Sequence, residues 1–145
     1  MLPEAVHVAD ETIEPEVGLM DKERFETGMA QRKSTLGAEY VDNSMAAADD
    51  FNRPFQEMMT EWAWGFGWGD EVIAPKTRSM MNLSMIAALG RMHEWELHFN
   101  GAIKNGVSRD ELRAVIHVIA IYCGVPAGVE CFRIARKVFA ERGMA

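Results

Sequence analysis

The segment that most constrains the fold is residues 77–89, TRSMMNLSMIAAL, which is apolar nearly all round after its first turn. A helix without a polar face has to be covered, either in the core of a domain or at a subunit interface. No segment of the chain alternates apolar and polar residues with the period of two that is typical of a β-strand. The sequence therefore predicts a single all-α domain of about six helices around this segment.

Local signals predict where the other helices begin and end. Gly37 is suited to stop a first, mostly charged helix, and Ser108 with Glu111 forms a capping box in which each satisfies a backbone amide of the other. Gly90 is expected either to end or to kink the apolar helix. The remaining predicted helices cover residues 22–36, 92–104 and 109–123, with one more beginning near Asn52 and a last one starting at Val125 and Pro126.

Two further patterns concern the surfaces of these helices. In the helix after Asn52, one predicted buried stripe follows the helical period, and it consists of Phe55, Met58, Met59, Trp62 and Ala63. The last helix is expected to bury a face that carries Val129, Phe132, Ala135 and Phe139. Residues 64–75, WGFGWGDEVIAP, follow the first of these two helices and are predicted to form a loop. They lack the Lys and Ser/Thr of a phosphate-binding loop.

Length and charge exclude several classes of protein. The chain has 145 residues, 48% of them hydrophobic, which fits one domain with a sizeable core. Its net charge of −7 argues against nucleic acid or an anionic membrane as a partner. No apolar run approaches the roughly 18 residues that span a bilayer, and residues 1–20 form an acidic arm without the pattern of a signal peptide. We expect a cytoplasmic protein with its helical domain in residues 21–145.

The apolar surface of the predicted helices suggests self-association. Residues 77–89 and 109–123 would expose more apolar surface than a small monomer can cover, so we expect a homo-oligomer. Cys123 and Cys131 are too far apart for a CxxC pair and lie in apolar helical surroundings, so they read as buried, reduced thiols.

The stretch GRMHEWELH, residues 90–98, has the composition of a metal site but not its spacing. A zinc-protease helix carries two histidines at i and i+4, whereas His93 and His98 are five residues apart and therefore about 140° apart around the helix. One ion does not easily reach both side chains. We predict no metal here and expect His93 to face solvent.

Arg91, Glu94 and His98 share the spacing i, i+3, i+7, which places them within about 60° on one stripe of a helix. Beside an apolar face, a carboxylate next to His98 would favour the imidazolium ion. The stripe is either part of an active site or an ion-pair network that holds the helix to its neighbour. Arg78 is equally open, since it could serve a site or pair with a carboxylate at a helix end, and His117 reads as structural.

The sequence resembles the carboxymuconolactone decarboxylase and AhpD-like family. The resemblance rests on DDFNRPFQEMMTEWAWGFGW, KTRSMMNLSMIAALGR, ELH, NGVSRDELRAVI and AIYCGVPAG, in this order, and covers about residues 21–142. It implies an AhpD-like helical subunit that assembles into a homohexamer. It also implies decarboxylation of 4-carboxymuconolactone to β-ketoadipate enol-lactone in the breakdown of protocatechuate, without a metal or organic cofactor.

The resemblance also implies roles for particular residues. A related branch, the alkylhydroperoxidases, carries CxxCxxxH where this chain has Arg91, Glu94 and His98. His98 would be the proton donor or the partner of the developing oxyanion, and Glu94 would set its protonation. The predicted ligands of the anionic substrate are Arg78 and Arg91, and the predicted walls of its pocket are Trp64 and Trp68.

Two departures from the family pattern leave the substrate open. Residues 69–75 lack an arginine that the family usually has and contain two acidic residues, and Asn100 stands where a basic residue is usual. A paralogue acting on a related acid is therefore possible. A thiol peroxidase would need Cys123 or Cys131 near His98, and a non-catalytic helical assembly would have the charged stripe fully paired and no open cavity.

Overall fold

The computed structural model describes residues 20–144, which form seven α-helices and one π-helical segment without any β-strand. The predicted all-α class is confirmed. Apart from Met20, the predicted acidic arm lies outside the described residues. The helices are α1 (Lys22–Leu36), α2 (Ala38–Ala46), α3 (Arg53–Met59), α4 (Pro75–Ala88), α5 (Met92–Lys104), α6 (Arg109–Tyr122) and α7 (Val125–Glu141), and the π-helical segment is Thr60–Gly67, directly after α3.

The local signals located most helix ends. Both hydrogen bonds of the predicted capping box form between Ser108 and Glu111 at the start of α6. Gly90 has a φ of 67°, a left-handed conformation that glycine adopts readily, and it ends α4 rather than kinking it. The additional helix α2 was missed because it is short and follows Gly37, where the helical pattern was expected to stop.

The core lies between α4, α5, α6 and α7. Its largest fully buried side chain is Trp95, whose indole Nε1 donates a hydrogen bond of 3.1 Å to the carbonyl oxygen of Leu83. A buried indole therefore keeps its polar group satisfied while its rings fill the core. The other core residues are Ala87, Phe99, Ala102, Val107, Leu112, Ile116, Ile119, Cys131, Ile134, Ala135 and Val138. The apolar segment of residues 77–89 therefore buries one of its faces in the core.

The buried face of α7 differs from the predicted one. Val129 is 63% exposed and Phe132 is 36% exposed, whereas Cys131, Ile134 and Val138 are buried. The prediction for these two residues was wrong, because both faces of α7 carry apolar residues. Sequence periodicity alone could not tell which face meets α5 and α6.

The π-helical segment and α1 come close together because each contributes one glycine to their contact. A Cβ atom at Gly65 would lie 2.1 Å from the carbonyl oxygen of Arg24, and one at Gly28 would lie 2.0 Å from that of Thr60. Neither distance is possible for real atoms, so only glycine allows the two backbones to come this close. The contact holds the segment against α1 and directs its tryptophans toward α4 and α5.

Two sequence expectations fail in this region. The predicted stripe after Asn52 is not buried, since Phe55, Met58 and Trp62 are each more than half exposed. The predicted loop also starts too early, because the chain stays helical through Gly67. The early start of the predicted loop has a physical cause: after α3 the chain passes from i+4 to i+5 hydrogen bonds, such as the one of 3.0 Å from Trp68 N to Ala63 O, which shifts the inward-facing positions. Phe55 and Met58 precede this change and lie in α3, which has no buried residue.

Apolar side chains also remain exposed on α4 and α6. Met85 and Leu89 are 54% and 74% exposed, and Ile121 and Tyr122 are 75% and 85% exposed. This agrees with the surplus of apolar surface expected from the sequence. No helix within residues 20–144 combines the length and the apolar character needed to cross a lipid bilayer.

Candidate active site

A cavity of about 390 Å³ lies between the π-helical segment, α4 and α5, and it brings together four of the six predicted site residues. They are Trp64 in the π-helical segment, Trp68 directly after it, Arg78 from α4 and His98 from α5. The cavity is also lined by Met59, Ala63, Gly67, Met81, Asn82 and Met85. Most of its wall is therefore apolar, with a small polar group at one place, as is usual for small-molecule sites.

The imidazole of His98 lies against both tryptophans. Its ring is nearly parallel to that of Trp64, with centroids 5.8 Å apart, and 6.1 Å from that of Trp68. The two indoles stack on each other at 5.0 Å. Since Trp64 and Trp68 are buried, their rings keep water away from one side of the imidazole.

The hydrogen bond between Asn82 and His98 fixes the tautomer of the neutral imidazole. The side-chain Nδ2 of Asn82 lies 3.2 Å from Nδ1 of His98. An amide nitrogen can only donate, so Nδ1 accepts, and the proton of the neutral ring resides on Nε2. His98 can thus offer an N–H group to a bound ligand without being charged.

Burial lowers the pKa of His98 below its ordinary value, because the charged form loses its hydration among the tryptophans. Glu94 acts in the opposite direction, as the sequence predicted, but its effect is the smaller of the two. The net direction is toward the neutral ring, because burial outweighs the effect of the carboxylate. At neutral pH, His98 is an uncharged hydrogen-bond donor.

Arg78 does not pair with a carboxylate, which was the structural alternative for this residue. Its guanidinium donates to two backbone carbonyl oxygens of the preceding loop, at 2.6 Å to Asp70 and 3.3 Å to Ile73. Its Nε is buried and has no hydrogen-bond partner among the described residues. The guanidinium is therefore held at the cavity by neutral groups, and its full charge is left for an anion.

Arg91 and Glu94 do not line the cavity. Both side chains are exposed, and neither forms an ion pair with another residue in the described part of the chain. Arg91 precedes the helix as the N-cap of α5, with φ −89° and ψ 70°, so the helical spacing that placed it beside His98 does not apply. The predicted stripe of three residues is reduced, within one subunit, to His98 alone.

The positions that depart from the family pattern lie at the edge of the cavity or outside it. The carboxylate of Asp70 accepts a hydrogen bond of 2.8 Å from the backbone N–H of Val72, so it stabilises its own loop. Asn100 accepts a hydrogen bond of 2.7 Å from Arg142 on the far side of α5 and is not part of the lining. Within one subunit, neither residue brings a charge to His98.

The cysteines and the other histidines are remote from this site. Cys131 is buried, as predicted, and burial raises the pKa of its thiol to about 11. Cys123 is exposed, contrary to the prediction, because it follows the last residue of α6. His93 is exposed as expected, and so is His117, so neither belongs to the lining. Within residues 20–144, no three His, Cys, Asp or Glu side chains gather where they could hold a metal ion.

Sequence reasoning missed Asn82 and the methionines Met81 and Met85. They follow Arg78 at i+3, i+4 and i+7, so one face of α4 supplies them all. Extending the helical period from Arg78 would have found this face. The continuous apolar character of α4 concealed it, since no contrast between faces marked where a polar residue mattered.

The fold and the cavity define a small all-α protein with one histidine and one arginine in an apolar pocket. Residues 53–137 match the model of the carboxymuconolactone decarboxylase family. The chain is 41% identical to nitrosuccinic acid decarboxylase of Metarhizium robertsii over 78% of this chain and 79% of that protein. It is 34% identical to 4-carboxymuconolactone decarboxylase of Acinetobacter baylyi over 86% and 93%.

The chain therefore belongs to the carboxymuconolactone decarboxylase family. Both relatives are carboxy-lyases, so the enzyme class predicted from the sequence is confirmed at the level of the family.

Proposed function

We propose that this protein decarboxylates a small acid with two carboxylates, in which the electron pair left by CO2 passes into a neighbouring acceptor group. The observation that carries the proposal is the pairing of a neutral Nε2–H donor, His98, with an arginine free of carboxylates, Arg78, in one mostly apolar cavity. The arginine would bind the carboxylate that the substrate keeps. The histidine would stabilise the acceptor oxygen as it becomes negative.

The first candidate substrate is 4-carboxymuconolactone, which the sequence predicted. When its ring carbon loses CO2, the electron pair of the broken C–C bond moves through the ring double bond onto the lactone carbonyl oxygen. A hydrogen bond from His98 Nε2 would stabilise the resulting dienolate, and a proton delivered to carbon would complete the β-ketoadipate enol-lactone. This reaction belongs to the breakdown of protocatechuate.

The second candidate is nitrosuccinic acid, favoured by the relative that is 41% identical over most of both chains. Loss of CO2 from the carbon that bears the nitro group leaves an electron pair, which the nitro oxygens accept as a nitronate. Protonation at that carbon then gives a nitro acid with one carboxylate. The same two protein groups suit this reaction, because it also needs an oxyanion donor and a cation for the remaining carboxylate.

The two roles that the sequence left open for His98 can now be weighed. An imidazolium would be needed to deliver a proton directly, but burial and the amide donor at Nδ1 both favour the neutral ring. These observations support His98 as the oxyanion partner. Trp64 and Trp68 would remove water from the departing carboxylate, which weakens its solvation before the C–C bond breaks.

The other two interpretations receive less support. A thiol peroxidase would need a cysteine beside His98, yet neither cysteine lines the cavity. A non-catalytic assembly would have the charged stripe paired and the cavity closed. Here Arg91 and Glu94 have no ion pair within the described residues, and the cavity is open.

The proposal is tested by incubating the protein with 4-carboxymuconolactone and, separately, with nitrosuccinate, and following the release of CO2. The expected result is acceleration over the spontaneous rate with one of the two acids. That acid identifies the acceptor group, and His98→Ala should lower the rate with the same acid by about a hundredfold to a thousandfold. An unchanged rate with both acids would contradict the proposal.

We also propose that the protein is a homo-oligomer, as the resemblance implied, with a hexamer as the expected state. Support comes from the exposed apolar residues of α4 and α6, which are continuous with the open side of the cavity at Met81 and Met85. Light scattering coupled to size-exclusion chromatography measures the mass in solution. A mass close to the 16.3 kDa of one chain would contradict self-association.

A further inference from the structure

A second cavity, of about 430 Å³, lies on the other side of α5 between α6 and α7. Phe139, which is partly exposed, forms its aromatic floor, and the fully buried Phe99 packs against it with the two rings edge to face at 5.4 Å. Phe132 closes one side. The size falls in the range of small-molecule sites, and the floor suits the flat body of an organic ligand.

The rim of this cavity is positive in a protein whose net charge is −7. Arg109 and Arg113 stand one helical turn apart on α6, and Arg136 stands on α7. Only Arg113 pairs with a carboxylate in the described part of the chain, at 3.0 Å to Asp110. Arg109 donates to the carbonyl oxygen of Met144 and lies 5.1 Å above the ring of Phe139.

Arg136 forms neither an ion pair nor a hydrogen bond with another described residue, so its guanidinium is available. Arg113 already has Asp110 as its partner, so Arg109 and Arg136 are the two guanidinium groups of the rim without a carboxylate partner in the described part of the chain. Guanidinium groups bind carboxylates and sulfonates through paired N–H donors.

We propose that this second cavity is a binding site for an aromatic carboxylate or a similar flat organic anion, separate from the candidate active site. The arginines would bind the anionic group and the phenylalanines the rings. No side chain that titrates near neutral pH lines the cavity, so it binds without catalysing proton transfer. The proposal does not depend on the decarboxylase activity.

The experiment is isothermal titration calorimetry of the full chain with 2-naphthoate, compared with the uncharged 2-naphthamide. We expect saturable binding of one naphthoate per chain and binding of the amide that is about tenfold weaker, because hydrogen bonds to charged groups are stronger than neutral ones. Arg136→Gln should weaken naphthoate binding about tenfold. Arg133→Gln is the matched control, since Arg133 lies on the same helix, is paired with Glu130 and stays outside the cavity.

Arg78→Gln separates the two cavities, because Arg78 lies only in the first one. If it abolishes naphthoate binding while Arg136→Gln does not, the ligand occupies the candidate active site and the proposal is overturned. Equal weakening by Arg133→Gln, or equal affinity for naphthoate and naphthamide, would overturn it as well. A change of oligomeric mass in Arg136→Gln with unchanged affinity would show that the arginines meet another subunit instead.

Discussion

The two cavities are separated by one residue step along α5, since His98 faces the first and Phe99 the second. The second has three arginines and more positive charge, but its lining contains no His, Cys, Asp or Glu side chain that could exchange a proton. The first has a single arginine together with an imidazole whose pKa is lowered by burial. The comparison indicates that positive charge is enough to bind an acid. Catalysis also requires a group beside the acid whose position and pKa suit the reaction, such as the imidazole of the first cavity.

The largest effect is expected from His98→Ala, which tests whether the first cavity is the catalytic one. Removing an oxyanion donor typically lowers the rate by about a hundredfold to a thousandfold, so kcat/KM for the acid that the enzyme turns over should fall by that factor. The matched control is His93→Ala, on the same helix but exposed, which should stay within about twofold of the unchanged protein. Near-normal turnover in a folded His98→Ala variant would contradict the proposal that the first cavity is the active site.

The next effect concerns the arginines of the two cavities. Arg78→Gln should raise KM by roughly tenfold to a hundredfold, since a charge-assisted hydrogen bond to the substrate is lost. Arg113→Gln, which changes the rim of the second cavity, should leave KM unchanged. Steady-state kinetics of both variants measure the difference, and a larger effect from Arg113 would reverse the assignment of the two cavities.

A smaller effect is expected on stability beneath the first cavity. Gly65→Ala places a Cβ only 2.1 Å from the carbonyl oxygen of Arg24 and should lower the free energy of unfolding by about 1–3 kcal/mol. Gly67→Ala is the matched control, because its nearest neighbour would be 3.7 Å away. Urea unfolding of both variants tests this prediction. Equal stability would show that the contact between α1 and the π-helical segment tolerates the extra methyl group.

The smallest predicted effect is a shift of the pH profile. Because the folded pKa of His98 lies below its ordinary 6.5, the neutral ring persists through neutral pH and is lost only as the pH falls through that lowered value. Asn82→Asp puts a carboxylate at Nδ1, which favours the imidazolium, so the acid limb of kcat/KM should move up by about one pH unit. Asn100→Asp on the far side of α5 should leave the limb in place.

Most helix ends could be predicted from the sequence because they depend on local rules, whereas the roles of Arg78 and His98 were predicted from the resemblance to the family. The capping box at Ser108 and the glycine at position 90 act within one turn, and the motifs around Arg78 and His98 were recognisable. The predicted helix already began at Met92, so the helical spacing should not have been extended to Arg91, which the structure places before the helix as its N-cap. The tautomer of His98 depends on Asn82, sixteen residues earlier, and no local pattern contains that contact.

The close approach of α1 and the π-helical segment has a consequence for how this enzyme can diversify. The tryptophan wall rests on Gly28 and Gly65, where a larger side chain would meet a backbone carbonyl oxygen, so substitutions at these two positions should destabilise the fold. The opposite wall carries Met81 and Met85, flexible side chains that are about half exposed within one subunit, so the proposed contact with another subunit, and not the core, restricts their exchange. Natural variation in substrate range should therefore accumulate on α4, while the wall behind His98 stays under purifying selection.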